Sequence, residues 1–419
     1  MSKARLVNIA PVLLLYCITA RAAEPTPTPP PSPLQIFGVY VDTQGSLLYR
    51  EKDAANELAY ARARGRIPDP TEAKLAFVSL PKLLADARAA AKAGKPLNPE
   101  LFCLNGLTQI RYVLVYPDQK DLVIAGPAES FDAAAMLQVK GKLTGRPVLQ
   151  LDDLVVALRL ANSAQPQWFG CTIDPPANSV EIGKQVMSKY AKAPRRQLAE
   201  ELAKAMGPQQ VRCFGVAADT RLAFVCVAAD YKLKRYSIGL DPPPVSGLGN
   251  SIDNSRPAGN GFWFEAMYEP LLMARDGNAF EIRGQRLQLK AGAVPFDEAG
   301  ATDKAKAWAK RFTEKIPQIA AAVSLYADLQ NLVDLSLVAN LIRQDKLDQR
   351  IGLDLSWLND ESAYQVRTVP IPKQTDTLVN YTSGSLAAGG VRIATAPWIA
   401  PDRRGQLSDS QVQSLKNGQ

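Results

Sequence analysis

Apolar positions along this chain fall into two kinds of run. Short runs closed by Asp, Gly or Pro read as strands, and longer stretches with apolar residues three and four apart read as helices. Residues 37–42 (FGVYVD), 169–174 (FGCTID) and 214–219 (FGVAAD) share the pattern Phe-Gly-x-x-x-Asp, and 113–118 (VLVYPD) is a degenerate fourth copy. A second apolar run follows each, at 47–49, 122–124, 180–182 and 222–227, which predicts a strand-loop-strand unit used four times. The copies are too unevenly spaced for a solenoid, so duplicated units in one or two domains are expected over 34–229.

Helices are predicted between these units. Ser79 caps a segment at 80–93 that ends at Gly94, and Leu151, Leu154, Val155 and Leu158 share a helical face with Asp152 and Asp153 at its positive end. Pro194 opens a helix bearing Leu198, Leu202 and Met206, closed by Gly207 and Pro208. The stretch 230–245 (DYKLKRYSIGLDPPPV) then marks a change of character, because Gly239 and three prolines stop any regular element. An irregular loop is expected at 247–261, followed by strands at 262–264, 271–273, 280–282 and 287–289 forming a three- or four-stranded antiparallel sheet. Trp308, Phe312 and Ile316 lie one turn apart, and Pro317 is expected to start a second helix running through Tyr326, Leu337 and Leu341. The fold class is therefore α+β (mixed α/β): duplicated helix plus strand-pair units over 34–229, then a domain at 230–400 with an antiparallel sheet and a C-terminal helical hairpin. Loops and short strands are expected near 370–400, and 401–419 reads as a disordered tail.

Composition adds a compartment. Lys3 and Arg5 precede an apolar run at 9–20, and Ala20-Arg21-Ala22 supplies a small-x-small site, so 1–22 reads as a signal peptide. Residues 23–33 form a proline-rich linker, and an exported, periplasmic or envelope location without a membrane span is expected. Removing Lys3, Arg5 and Arg21 lowers the formal net charge from +8 to +5, too mild and too dispersed to imply nucleic acid. There is no histidine, which removes His-based acid-base chemistry, Ser-His-Asp and Cys-His nucleophiles and nearly every catalytic zinc site. No phosphate-cradling loop or calcium loop appears, so no cofactor and no metal is expected.

The segments AGPAE (125–129), GRPVLQLDDLVVALR (145–159), ADYKLKRYSIGLDPPPV, FWFEAMYEPLL and the helix at 329–335 resemble an uncharacterised family of exported planctomycete-type bacterial proteins, a domain of unknown function. The resemblance is densest between 145 and 341 and implies export and architecture but no activity. An acidic residue often stands in that family where this chain has Ala228.

Two functional readings remain. A non-catalytic binding or interaction scaffold would use Tyr231, Lys232, Lys234, Arg235, Trp263 and Tyr268 toward an envelope protein or polymer. A histidine-free hydrolase of a polymer such as glycan would draw on Asp230, Asp241, Glu265 and Glu269. For each set there is a plainer alternative: the acids are hydrogen-bonded structural groups, the Lys/Arg run is a solvated face, and the aromatics are core. Finally, a two-residue turn at Asp219-Thr220 would place Cys213 opposite Cys226 at disulfide distance, while Cys103 and Cys171 read as buried thiols.

Overall fold

The computed structural model describes residues 74–133, 138–164, 167–252, 261–292 and 296–417, with the backbone alone of the strands at 35–36, 39–41, 46–49 and 259–260. Among these residues sixteen strands form two mixed sheets. The chain opens with β1 (Gln35–Ile36), β2 (Val39–Val41), β3 (Ser46–Tyr49), β4 (Leu75–Ser79), β5 (Tyr112–Tyr116) and β6 (Asp121–Pro127). Its middle contributes β7 (Trp168–Asp174), β8 (Gln209–Phe214), β9 (Gly259–Ala266), β10 (Leu271–Ala274), β11 (Ala279–Ile282) and β12 (Leu287–Gly292). The last four are β13 (Gln374–Thr375), β14 (Val379–Asn380), β15 (Ser385–Ala394) and β16 (Gly405–Leu407). The larger sheet runs β1-β2-β3-β13-β8-β7-β15-β9-β12, with β14 on the end of β15, and the smaller runs β16-β10-β11-β5-β6-β4. An α+β fold results, and all of these strands belong to one contact unit, Leu34–Gln419.

Helices hold the two sheets' cores together. The central helix, Arg221–Ser237, packs on β7 and β15 and has sixteen buried residues among its seventeen. Its start is fixed by the Thr220 hydroxyl, which accepts a hydrogen bond from Ala223 N. Helix Ser324–Gln344 is buried on nearly every side because it serves two cores. Leu325, Leu329 and Val333 join the core of the larger sheet, whereas Leu335, Leu341 and Ile342 join that of the smaller. Helix Leu151–Asn162 bridges in the same way, with Val156 in one core and Leu154 and Leu158 in the other.

Several expectations hold. Helices form at Leu80–Lys92, Leu151–Asn162 and Arg195–Met206, and Ser79 caps the first by accepting from Lys82 N. The degenerate copy at 113–118 is a true strand pair, since β5 and β6 are antiparallel with Tyr116 facing Asp121. In the first copy β2 and β3 pair antiparallel, while Phe37, Gly38 and Asp42 lie outside the described residues.

The other two copies do not repeat this unit. β7 forms at 168–174, but Val180, Glu181 and Ile182 lie on helix Ser179–Lys189. Only Phe214 of the last copy is on a strand, residues 215–219 are a loop, and 222–227 begin the central helix. An unbroken apolar run suits a buried helix as well as a buried strand, and here burial on all sides selects the helix. That helix also runs across the expected domain boundary at 229/230. The expected single sheet at 262–289 is divided, with β9 and β12 in the larger sheet and β10 and β11 in the smaller. Pro317 lies inside helix Asp303–Ala322, and the break comes at Val323. Residues 385–394 form a ten-residue strand in the middle of the larger sheet. Residues 405–417 of the expected disordered tail carry regular structure: β16 runs parallel to β10, Leu407 is fully buried, and Asp409–Asn417 is helical.

Gly389 shows how closely the central helix approaches this sheet. A β-carbon there would collide with Asp230 Oδ1 and lie 2.9 Å from Lys234 Cε. Gly389→Ala is accordingly expected to lower the unfolding free energy by about 1–3 kcal/mol, through overpacking of a full core. Urea unfolding at neutral pH measures it, and an unchanged midpoint would show that the helix sits farther from β15.

Candidate functional site

Asp230, Lys232, Lys234, Arg235 and Asp241 lie on the central helix or just beyond it, and all five are consumed by internal pairing. Lys234 Nζ donates to Asp230 Oδ2 at 3.0 Å, one helical turn away, and to Ile173 O of β7 at 2.9 Å. Lys232 Nζ reaches Asp241 Oδ2 at 2.7 Å, and Arg235 Nη2 reaches Asp241 Oδ1 at 2.9 Å. Asp230, Lys232 and Lys234 are no more than 1 % exposed, so the Lys/Arg run is not a solvated face. Tyr231 is buried beneath the Arg235 guanidinium. At the other end of the helix Arg221 donates to both Asp153 and Asp328 at 2.5 Å.

Burial and pairing pull these carboxyl groups in opposite directions. Burial pushes Asp230 up to about 6 against the pull of Lys234, and Asp153 up to about 6 against that of Arg221. Asp241 moves the other way, because Lys232 and Arg235 together outweigh its burial and hold it below the usual carboxylate range.

Of the remaining sequence-predicted residues, Trp263 and Glu265 belong to the opposite face of the larger sheet. Side chains alternate along a strand, so Phe169, Cys171 and Ile173 of β7, Phe262 and Phe264 of β9, and Val391 and Ile393 of β15 point into the helical core. Trp168, Trp263, Glu265 and Arg392 therefore take the outer side. Glu265 is half-buried; it forms an ion pair with Arg392 and accepts from Trp263 Nε1 at 3.3 Å. The Arg392 guanidinium lies 4.9 Å from the Trp168 ring centre and 5.2 Å from that of Phe296. Phe296, at φ 68°, lies edge-on between Phe214 and Trp263, and the missing side chain of Gly390 leaves room for its ring. A left-handed backbone is strained for so bulky a residue, and the surrounding aromatics hold it there. Trp168 stays 43 % exposed at the rim of this cluster.

Glu269 is not part of the cluster. It follows the end of β9, is exposed, and pairs with Arg403. Tyr268 is spent structurally, its hydroxyl donating to Ala394 O at 3.3 Å and accepting from Ala394 N at 3.1 Å. The facing strand expected opposite Cys213 is absent, because Cys226 lies on the central helix. Trp168 and Arg392 were not singled out from the sequence. An aromatic opening a strand run at Trp168 was the one available signal.

Two concavities lie elsewhere. One, of about 540 Å³, is bordered by Arg159, Ser163, Gly215, Asp219 and Glu361. The other, of about 550 Å³, lies beside the end of helix Ser324–Gln344. Neither is lined by any of the candidate binding or catalytic residues named from the sequence. Among the described residues no cluster of three metal-ligating side chains occurs, and no helix is long and apolar enough to cross a membrane.

Residues 171–250 match the model of a protein family of unknown function, DUF1598. The match covers β7 from Cys171 onward, the helices Ser179–Lys189 and Arg195–Met206, β8, the central helix and the loop after it. Neither the curated proteins nor the solved structures give a match.

The raised Asp230 carboxyl has a consequence for stability. Its folded pKa of about 6 lies above the ordinary 3.8, so its proton is held more tightly in the native state. The stabilisation this supplies is complete below about pH 4 and is lost as pH rises through about 6. Asp230→Asn mimics the protonated form, so its stability deficit relative to the parent chain is expected to shrink between pH 4 and 7, by on the order of 1–3 kcal/mol. Denaturant melts of both proteins across that range test it. A deficit that grew with pH would reverse the sign of the argument.

Proposed function

We propose that this chain is a non-catalytic binding or interaction protein of the cell envelope, and that it meets its partner, an envelope protein or polymer, on the outer face of the larger sheet. The observation that carries the reading is Trp168, an exposed indole backed by the Arg392 guanidinium, the buried Trp263 and the half-buried Phe296. Aromatic side chains held rigid from behind lose little freedom on contact, and Trp and Arg dominate the energetics of binding surfaces.

The rival hydrolase needs two carboxyl groups facing one substrate, one of them free to give up or take a proton. Each of its candidates is instead matched to a cation: Asp230 to Lys234, Asp241 to Lys232 and Arg235, Glu265 to Arg392, and Glu269 to Arg403. Export, expected from the N-terminal segment, would place the exposed face in contact with envelope material.

Co-sedimentation with purified cell-wall glycan, together with an assay for released reducing ends, separates the two readings. Retention without release is expected, and Trp168→Ala should weaken retention about tenfold or more while leaving the thermal melt unchanged. Release of reducing ends that disappears in Glu265→Gln would overturn the proposal in favour of the hydrolase.

A further inference from the structure

We propose that Cys171 and Cys213 form a disulfide that staples β7 to β8. The two residues are direct partners in the antiparallel register of these strands. Whether such partners can bond depends on which kind of ladder position they occupy, and two backbone hydrogen bonds decide it. Val211 N donates to Lys373 O at 2.9 Å, away from β7, so Cys213, two residues on, also directs its backbone groups away from β7. Thr395 N donates to Gln167 O at 2.9 Å, on the β15 side. Gln167 and, by alternation, Cys171 therefore direct their backbone groups away from β8. Both indications make Cys171–Cys213 a non-hydrogen-bonded pair, the position at which facing α-carbons come closest, about 4.5 Å, inside the range that a disulfide spans.

The side chains point the same way. Cys171 is fully buried and Cys213 is packed against the same core, where Cys226 of the central helix supplies a third thiol. Cys226 reaches that region from a helix, without the enforced spacing of a ladder partner. Only Cys213 of the three is partly open to solvent, so it is the sulfur an oxidant meets first.

The oxidant is a small-molecule disulfide or the oxidised dithiol of an exchange protein, as found in an oxidising compartment. The Cys213 thiolate attacks one sulfur of that disulfide and forms a mixed disulfide, releasing one thiolate. The Cys171 thiolate then attacks the Cys213 sulfur and releases the second. Two cysteine thiols are oxidised, one external disulfide is reduced to two thiols, and the two protons pass to the released thiolates. Burial pushes the Cys213 thiol up to about 11, so exchange in the finished fold is slow and the bond forms while the strands assemble.

The bond would close the base of a peripheral excursion. Between the two strands the chain makes helix Ser179–Lys189, which has no buried residue, and helix Arg195–Met206, which buries Ala199, Leu202 and Met206. A cross-link there limits the freedom of a long, thinly anchored loop in the unfolded chain.

Refolding of the full-length chain in a mixture of oxidised and reduced glutathione, followed by alkylation, tryptic digestion and mass spectrometry without reductant, tests the proposal. The expected result is a linked peptide pair containing Cys171 and Cys213, two of the five cysteines protected from alkylation, and a melting temperature about 5 °C above that of the reduced protein. The link should persist in Cys226→Ala. Alkylation of all five cysteines in the refolded parent chain, or a link joining Cys226 to either partner, would overturn it. The parent-chain result needs no variant to fold.

Discussion

A single helix that buries its own charges sets the terms for this fold. Taking an ion out of water costs several kcal/mol even after the surroundings relax, so each cation on Arg221–Ser237 requires a partner inside the protein. The partners come from different elements: Asp153 from helix Leu151–Asn162, Asp328 from helix Ser324–Gln344, Ile173 O from β7, and Asp241 from the turn that follows the helix. Hydrophobic contacts are tolerant of register, whereas these pairs are not. They fix how the helical layer meets the larger sheet, and Arg286 with Asp334 and Arg404 with Asp345 extend the same device toward the smaller one.

Two adjacent glycines carry the consequence across the sheet. Gly389 lets Asp230 and Lys234 close onto the inner face of β15, and Gly390 lets Phe296 close onto its outer face. Arg392, two residues further on, links that outer face to Glu265 of β9 and Trp168 of β7. The candidate binding surface is thus a product of the sheet order, in which β15 lies between β7 and β9.

What the sequence disclosed follows from this. Helices with one apolar face and a clear cap, such as Leu80–Lys92 and Arg195–Met206, were legible, as was the local pair β5–β6. The central helix was not, because burial on all sides erases the helical period and leaves residues 222–227 reading as a strand. Its Lys232, Lys234 and Arg235 read as a solvated run because charged side chains so seldom lie inside. Glu265 and Trp263 were recognised on β9, but Arg392 and Trp168 reach them only through pairing of strands far apart in sequence, which no local pattern encodes. Two of the Phe-Gly tracts share residues without sharing a conformation: 169–174 stays on a strand, whereas 214–219 leaves β8 for a loop that leads into the central helix. Cys171 went unpaired in the sequence reading for the same reason, since its ladder partner follows an excursion of two helices.

This fold requires the charges of the central helix to be coupled inside the protein. A double-mutant cycle of Arg221→Met and Asp328→Leu, read from urea unfolding at neutral pH, measures that coupling directly. A dry, paired interior predicts an interaction energy above about 2 kcal/mol, with the double variant more stable than Arg221→Met, in which Asp153 and Asp328 both lose the Arg221 guanidinium. A coupling below about 0.5 kcal/mol, the value of an exposed pair, would contradict it.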